Sequence, residues 1–181
     1  NFGSVLKEGL YEDHENREKI LNLVKFKSTN SEDTTSLKDY IERMKKGQDN
    51  IFYISGDDIE TLRNSPQLEG FKSKNIEVLF MTDPVDEFWL PMVGTYEEKS
   101  FSSVTSSSID LSKIKDAKKD KKDNIEDKEK ANDSSIAKLI IDFKESLGES
   151  VKDVKSSDRL VESAVCLVAG EGDMDLHLER M

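Results

Sequence analysis

Two short apolar runs restrict the fold of this chain more than any other feature of its sequence. One is IFYI at residues 51–54 and the other is IEVLFM at residues 76–81. A strand with one solvated face alternates apolar and polar residues, whereas an apolar run without alternation is typical of a strand covered on both faces. The pattern therefore predicts two buried strands of a sheet with helices on each side.

The segments around these runs complete an alternating order of strands and helices. Residues 56–74 have helical spacing, interrupted at Ser65 because Pro66 disfavours helix at the residue before it. FSSVTSS at 101–107 is a candidate third strand, at the edge of the sheet. This alternation is typical of a small three-layer α/β/α sandwich with a mainly parallel sheet. The predicted fold class is therefore α/β.

Connecting helices are predicted before the first apolar run. Residues 13–26 and 37–44 each carry apolar side chains at helical spacing. Ser36 is placed to cap the second helix, with Asp39 at its third position, which is a loose form of the capping box. The polar residues 28–36 between the two helices are interpreted as a loop.

The sequence changes character beyond the sandwich. Residues 113–133 hold eight lysines and seven acidic residues, a mixture that predicts a solvated helix or linker and not a nucleic-acid-binding tail. An apolar stripe at helical spacing then ends at Gly148, and the short runs 151–154 and 164–168 are predicted strands. A second, α+β unit is therefore expected to begin near residue 135 and to be truncated by the end of the chain.

Composition and charge disfavour several classes of partner. The 181 residues carry a formal net charge of −11, which disfavours general nucleic-acid binding and adhesion to an anionic membrane, because both need a basic face. No apolar run approaches the ~18 residues of a transmembrane helix. The N-terminus has neither Met nor a signal-peptide pattern, so the chain is expected to be an internal fragment of a longer protein.

Few residues of the chain are suited to catalysis or metal binding. His14 and His177 are far apart in the sequence, whereas a zinc site or a catalytic triad needs several such groups to converge. Cys166 lies within an apolar run, where a buried, unreactive thiol is expected. GEG at 170–172 lacks the lysine and the strand–loop–helix context of a phosphate-binding loop. We therefore expect no catalytic, metal or cofactor site in this chain.

The stretch DEFWLPMV at residues 86–93 is the unusual feature of the predicted sandwich. Its apolar residues fall on one broad helical stripe. Pro91 is expected to kink or end the helix, because proline removes one backbone hydrogen bond. Two interpretations are open. Either the whole stripe faces the core, or a ring of the Phe88–Trp89 pair is exposed beside Glu87 and marks an interaction surface.

Four motifs, in this order, resemble those of the heat shock protein 90 chaperone family. They are VLKEGLYEDHENREKILNLVKF, TSLKDYIERMKKGQDNIFYISG, IEVLFMTDPVDEFWL and VKDVKSSDRLVESAVCLV. The resemblance extends over essentially the whole chain. The KEG sequence and the short linker are closer to the bacterial-type or organellar members of the family than to the eukaryotic cytosolic one.

The resemblance implies a position for this chain within such a chaperone. Residues 1–111 would be the end of the middle domain, 112–134 a charged linker or linker helix, and 135–181 the truncated start of the C-terminal dimerisation domain. Members of the family are ATP-driven chaperones that act as dimeric clamps, in the bacterial cytoplasm or in organelles. Their nucleotide site, with ATP and Mg, and their homodimer helices would lie outside this chain. The fragment alone is therefore not expected to be an enzyme or to form the native dimer.

The resemblance implies that this chain contacts partly folded client proteins and the rest of the same chaperone chain. The implied client-binding residues are Glu87, Phe88, Trp89, Pro91, Met174, Leu178 and Met181. Glu87 and Phe88 match the acid–aromatic pair of the family. Trp89 stands where relatives carry an aliphatic residue or methionine, and it is expected to share or take over the exposed role. Pro91 departs from relatives, which carry a polar residue there. The last three residues begin an amphipathic helix.

Two alternatives to client binding stay open at this point. In a purely structural relay, the apolar stripe of residues 86–93 is buried and no client binds. An enzyme domain is a third class, and it would need a cleft with converging titratable groups.

Overall fold

The computed structural model describes residues 2–114, 129–170, 173 and 175–177. The chain divides into two compact units, of which one contains residues 1–115 together with Arg159 onward, and the other contains the segment between them. The described helices and strands are, in chain order, α1 (Phe2–Glu12), α2 (Arg17–Leu23), β1 (Lys25–Ser28), β2 (Thr35–Ser36), α3 (Leu37–Glu42), β3 (Asn50–Ser55), α4 (Ile59–Arg63), α5 (Glu69–Ser73), β4 (Leu79–Met81), α6 (Asp86–Val93), β5 (Thr95–Tyr96), β6 (Lys99–Ser103) and α7 (Glu129–Leu147).

The strands of the described residues form one mixed sheet in the order β2-β1-β4-β3-β6-β5. At its centre, β3 pairs in parallel with both β4 and β6. Antiparallel pairs complete both sides of the sheet. The predicted α/β fold is thus confirmed, but the prediction of a mainly parallel sheet is wrong, because three of the five strand pairs are antiparallel. The predicted edge position of the third strand is wrong, because the hairpin strand β5 pairs with the outer side of β6.

Helices cover both faces of this sheet and bury two separate cores. Ile51 of β3 packs into the core formed with α1, α2, α3 and α6. Phe52 and Ile54 pack into the opposite core, with apolar side chains of α4 and α5. β4 divides its side chains in the same way, with Leu79 in the first core and Phe80 in the second. Both strands therefore lack polar alternation, because neither has a solvated face.

Three further predicted elements differ from the structure. The helix predicted over 13–26 ends at Leu23, and Phe26 is a buried residue of β1. No strand forms at 151–154 or 164–168, and the backbone bridge found nearby joins Ala169 to Ser106 in parallel. An apolar run becomes a strand only where a neighbouring strand offers partners for its backbone groups, and no such ladder extends beyond that bridge among the described residues.

The second unit consists, in its described part, of α7 and the turn that follows it. Gly148 has a φ of 51°, the left-handed conformation that glycine adopts readily just past a helix, so the predicted stop is confirmed. Lys144 on the last turn of α7 forms an ion pair with Asp153. None of the described helices is long and apolar enough to cross a bilayer. The domain boundaries at residues 111 and 134 stay a prediction.

Candidate functional site around helix α6

The predicted site residues of α6 face in two directions. Phe88 is 55% exposed, and Pro91 is also exposed. Trp89 and Glu87 are buried, at 0% and 8% exposure. The remaining predicted site residues lie outside the described residues: Met174, Leu178 and Met181. The structure therefore brings together only the four on α6, and it places one of the two aromatic rings at the surface.

Trp89 is a core residue, so the expectation that it shares the exposed role is wrong. Its indole N–H donates to Asp86 Oδ1 at 2.8 Å. Its ring meets Phe101 edge-on, with 5.5 Å between centroids, and Phe26 at a tilt, with 6.1 Å. Because its polar atom and its ring both find partners inside the core, burial of this large side chain carries no unsatisfied group.

A buried ion network holds α1 against the start of α6. Lys7 Nζ lies 2.8 Å from Asp83 Oδ2 and 2.9 Å from Asp86 Oδ2. Lys7 is 4% exposed and Asp86 is 1% exposed, and the ammonium also sits 4.8 Å from the centroid of the Phe26 ring. Burial raises the pKa of Asp86, and the charge of Lys7 opposes that shift. The network therefore fixes which side of α6 faces inward.

Pro91 lies inside α6 and does not end it. The helix continues to Val93, and the amide of Gly94 still donates to Leu90 O at 3.0 Å. Gly94 has a φ of 64°, and it ends the helix one residue after Val93. The helix is thus long enough to carry Phe88 and Met92 on one exposed face, since residues four apart are neighbours on a helix.

Phe88 belongs to an apolar surface patch that extends onto α1. Its ring meets that of Tyr11 edge-on, with 6.3 Å between centroids. Tyr11 is 48% exposed and Met92 is 43% exposed. A shallow pocket lies at this pair, lined by Glu8, Tyr11, Glu12, Val85 and Phe88. We call these five residues together with Met92 the Tyr11–Phe88 patch.

The Tyr11–Phe88 patch combines apolar rings with an acidic rim. Glu8 and Glu12 are exposed beside Tyr11, and the chain as a whole is acidic, with a net charge of −11. Exposed apolar surface rimmed by polar groups is typical of a protein-interaction site. Its charge favours a partner segment in which apolar side chains are accompanied by basic ones.

Glu87 points away from the patch, toward the carboxyl ends of β3 and β6. Its Oε1 atom is buried without a hydrogen-bond partner, and Ser55 Oγ, at the end of β3, is likewise without one. Burial raises the pKa of Glu87, and the negative charge of Asp175 adds to this, while the nearby Ser55 hydroxyl and His177 oppose it. The structure thus gives Glu87 an inward position and not the surface position that was expected.

Asp175 lies near the buried side of Glu87. Its carboxylate accepts hydrogen bonds from the hydroxyls of Ser103 and Thr105, the latter at 2.9 Å, and from the amide of His177 at 2.9 Å. His177 Nε2 also lies 3.7 Å from Asp57 Oδ1. In the part of the chain that the structure describes, no three His, Cys, Asp or Glu side chains are arranged to hold a metal ion.

The Glu87→Gln substitution is expected to raise the free energy of unfolding by about 1 kcal/mol at pH 7, because it removes a buried carboxylate charge whose Oε1 atom has no hydrogen-bond partner. The raised pKa means that the folded state holds its proton more tightly than the unfolded state. Stability of the parent chain therefore falls as pH rises from the ordinary glutamate pKa through the raised one. Urea unfolding between pH 4 and 8 should show a steeper decline in the parent chain than in the variant, which keeps the raised pKa of Asp86 but not that of Glu87. A gain that is equal at all pH values would contradict the assignment.

The chain is similar to known proteins along its whole length. A family model described as Hsp90 protein matches residues 1–181. The chain is 53% identical over 182 residues to the chaperone protein HtpG of Paramagnetospirillum magneticum, and 51% identical over 181 residues to that of Roseobacter denitrificans. These alignments cover 99% and 100% of this chain but 28% of each relative. The chain thus spans little more than a quarter of the curated relatives it matches.

Solved structures are also similar to the chain, and one example matches it in fold as well as in sequence. It is the middle domain of a heat shock protein from Plasmodium falciparum, with a TM-score of 0.54 and 45% sequence identity. The match covers 57% of this chain and 44% of that chain.

Proposed function

Because the chain belongs to the Hsp90 family, as its four motifs predicted, we propose that it is a segment of an ATP-driven chaperone and binds partly folded clients through the Tyr11–Phe88 patch. The observation that supports this most directly is the edge-on pair of exposed rings, Tyr11 and Phe88. Two surface aromatics in contact provide a preformed apolar site, and its acidic rim selects basic neighbours. Phe88 is the predicted client residue that this proposal keeps at its centre.

The client-binding residues proposed here differ from those that the resemblance implied. Phe88 and Pro91 stay, since both are exposed. Trp89 is removed because it is buried, and Glu87 is given an inward role. Tyr11 and Met92 enter from the structure. Met174, Leu178 and Met181 remain proposed from the resemblance alone.

The parent protein is proposed to have the properties that the resemblance implies. These are ATP hydrolysis with ATP and Mg bound outside this chain, a homodimeric clamp, and a location in the bacterial cytoplasm or in an organelle. The proposed contact of this chain with a client does not involve the nucleotide. The residues of this chain act by contact with the client and by transmitting motion to the remainder of the same chain.

A purely structural relay remains the second candidate function. It is favoured by the burial of Trp89 and Glu87, two of the four buried residues among the eight of α6. The exposure of Phe88 and Met92 goes against it, because this candidate predicted a buried stripe. In that case Phe88 is an exposed ring without a role in binding, and the chain transmits clamp motion only. The two candidates differ in one observable, which is whether the Tyr11–Phe88 patch binds an unfolded protein.

The Phe88→Ala substitution tests client binding. The probe is a fluorescently labelled protein kept unfolded by reduction and carboxymethylation, and the readout is anisotropy. Truncating a ring at the centre of an interaction site is expected to weaken binding about tenfold, or about 1.4 kcal/mol. The matched control is Leu23→Ala, because Leu23 is 65% exposed but lies on α2, outside the patch. Equal affinity for both variants, or no saturable binding by the parent chain, would favour the structural relay.

A further inference from the structure

Residues 159–170, here called the strap, belong to the first compact unit although they form no helix or strand of their own. Polar contacts attach the strap to the sandwich along its length. Gln67 Nε2 donates to Leu167 O at 2.7 Å. The amide of Ala169 donates to Thr105 O at 2.8 Å, and an Arg159 guanidinium N–H donates to Ser106 O at 3.0 Å.

The strap buries only part of its apolar surface: Ala169 is buried, at 7% exposure, and Leu160 and Val168 are half-buried. Its large apolar residues include three that are mainly exposed, Val161, Val165 and Leu167, at 64%, 60% and 52%. None of the residues of either buried core comes from the strap. A segment held by polar contacts with few buried apolar ones opens at a lower free energy than a core element. The strap can therefore leave the sandwich without disrupting either core.

Glu69, the first residue of α5, makes the densest of these contacts. Its carboxylate accepts hydrogen bonds from three successive amides, Val161 at 2.7 Å, Glu162 at 2.9 Å and Ser163 at 3.2 Å, and from the Ser163 hydroxyl. Successive amides that converge on one anion form a concave anion-binding site. The Ser163 hydroxyl and these amides hold the pKa of Glu69 at about 2, so the carboxylate stays ionised throughout the physiological pH range.

Gly70 supplies an independent contact beside Glu69. A Cβ atom at Gly70 would lie 2.8 Å from Arg159 O and 3.1 Å from Arg159 Cα. Both are backbone atoms, which cannot move aside as the end of a flexible side chain can. The missing side chain at Gly70 thus lets the strap approach α5 closely enough for the Glu69 carboxylate to reach the amides of residues 161–163.

We propose that Glu69 and Gly70 form a latch that fastens the strap to the sandwich and can release it as one unit. The carboxylate is the part that holds, because a single ionised group satisfies four donors of the strap at once. Release frees residues 159–170, which follow α7 in the chain, while the sheet and both cores persist. The proposed latch depends on these contacts and not on client binding, so it can be tested independently of the role of the Tyr11–Phe88 patch.

Hydrogen exchange of the complete 181-residue chain, measured by mass spectrometry, tests the latch. Glu69→Gln replaces half of the acceptor by an amide donor, and we expect peptides that contain residues 161–163 to exchange at least tenfold faster. Gly70→Ala is expected to accelerate the same peptides through the clash with Arg159. The matched control is Glu60→Gln, because the Glu60 side chain is 76% exposed on α4 and 3.8 Å from its ion-pair partner Arg63.

The pattern of exchange decides the outcome. Faster exchange confined to the strap in both latch variants, with β3 peptides unchanged, supports the proposal. Unchanged strap exchange in Glu69→Gln would overturn it, because the carboxylate would then not be what holds the strap. Acceleration that includes β3 would also overturn it, since Glu69 would then contribute to the stability of the whole unit.

Discussion

Replacing Lys7 by methionine is expected to lower the free energy of unfolding of the sandwich by about 3–5 kcal/mol, the usual effect of removing one partner of a buried ion pair. Methionine fills much of the same space, so the loss is one of charge and not of packing. It leaves Asp86, which is 1% exposed, and Asp83 without their shared cation. Urea unfolding followed by the emission of Trp89 measures the effect directly, because Trp89 is the single tryptophan of the chain and donates to Asp86.

The pH dependence of Lys7→Met separates an unpaired charge from lost packing. Burial already raises the pKa of Asp86, and Lys7 opposes that shift, so the variant should hold the Asp86 proton more tightly still. A carboxyl group with a raised folded-state pKa loses stability as pH rises. The deficit should therefore be largest at pH 7 to 8 and smaller near pH 4. Addition of Asp86→Asn should recover part of it, which measures the coupling between the two residues.

The control for Lys7→Met is Lys19→Met, on the exposed face of α2. A surface lysine of this kind is expected to change stability by no more than about 0.5 kcal/mol. If Lys7→Met cost as little as this, or cost the same at every pH, the ion network would not be what holds α1 against α6.

The central fold was predictable from sequence because burial on both faces leaves a local signal. The runs 51–54 and 78–81 have no polar alternation, and the strands found there are β3 and β4, although β4 covers only the last three of the six residues predicted, 76–81. β1 was not predictable in the same way. Its four residues, KFKS, alternate as an edge-like strand does, and they directly follow the helical spacing of α2. Pairing with β2 on one side, and with β4 about fifty residues later in the chain on the other, makes this short segment a strand.

The position of Trp89 was not predictable for a related reason. Spacing places Phe88 and Trp89 beside each other on α6, but it does not say which ring points inward. That is decided by Lys7, which approaches Asp86 from 79 positions away in the sequence. Asp86 then accepts the indole N–H three residues later. Tyr11 and Phe88 are similarly far apart in the sequence, so the residues of the Tyr11–Phe88 patch could be identified only from the structure.

One side chain of the motif TSLKDYIERMKKGQDNIFYISG, Tyr40, explains why these residues fold as they do. Removal of its hydroxyl is the second change for which we expect a large loss of stability. The Tyr40 hydroxyl donates to Glu77 O at 2.8 Å. It accepts from the amide of Phe52 at 3.0 Å and from Gln48 Nε2 at 3.1 Å. One hydroxyl thus joins α3, the following turn and β3, and it reaches the backbone just before β4. Burial raises the pKa of Tyr40, so the hydroxyl keeps the proton that it donates.

The Tyr40→Phe substitution is expected to lower the free energy of unfolding by about 2–4 kcal/mol. It keeps the ring but leaves the Phe52 N–H and the Glu77 C=O without this partner, and each buried unpartnered group costs about 1–3 kcal/mol. Tyr11→Phe is the matched control, because it deletes the hydroxyl of a tyrosine that is 48% exposed. Urea unfolding followed by Trp89 emission applies to both variants, since neither substitution alters the contacts of the indole.

Hydrogen exchange at Phe52 distinguishes the cause of that loss. If the Tyr40 hydroxyl is the partner of this amide, the amide should exchange faster in Tyr40→Phe than expected from the lower global stability alone. Gln48→Ala removes a donor to the same hydroxyl together with the bonds of Gln48 to the Lys45 amide and to Asn50 O. It leaves the hydroxyl that accepts from the Phe52 amide, so this amide should exchange no faster than the lower global stability of that variant predicts. A Tyr40→Phe variant as stable as Tyr11→Phe would contradict the hydroxyl's role. The folded conformation of the motif would then depend on burial of Leu37 and of the Tyr40 ring, and not on the hydrogen bonds of the Tyr40 hydroxyl.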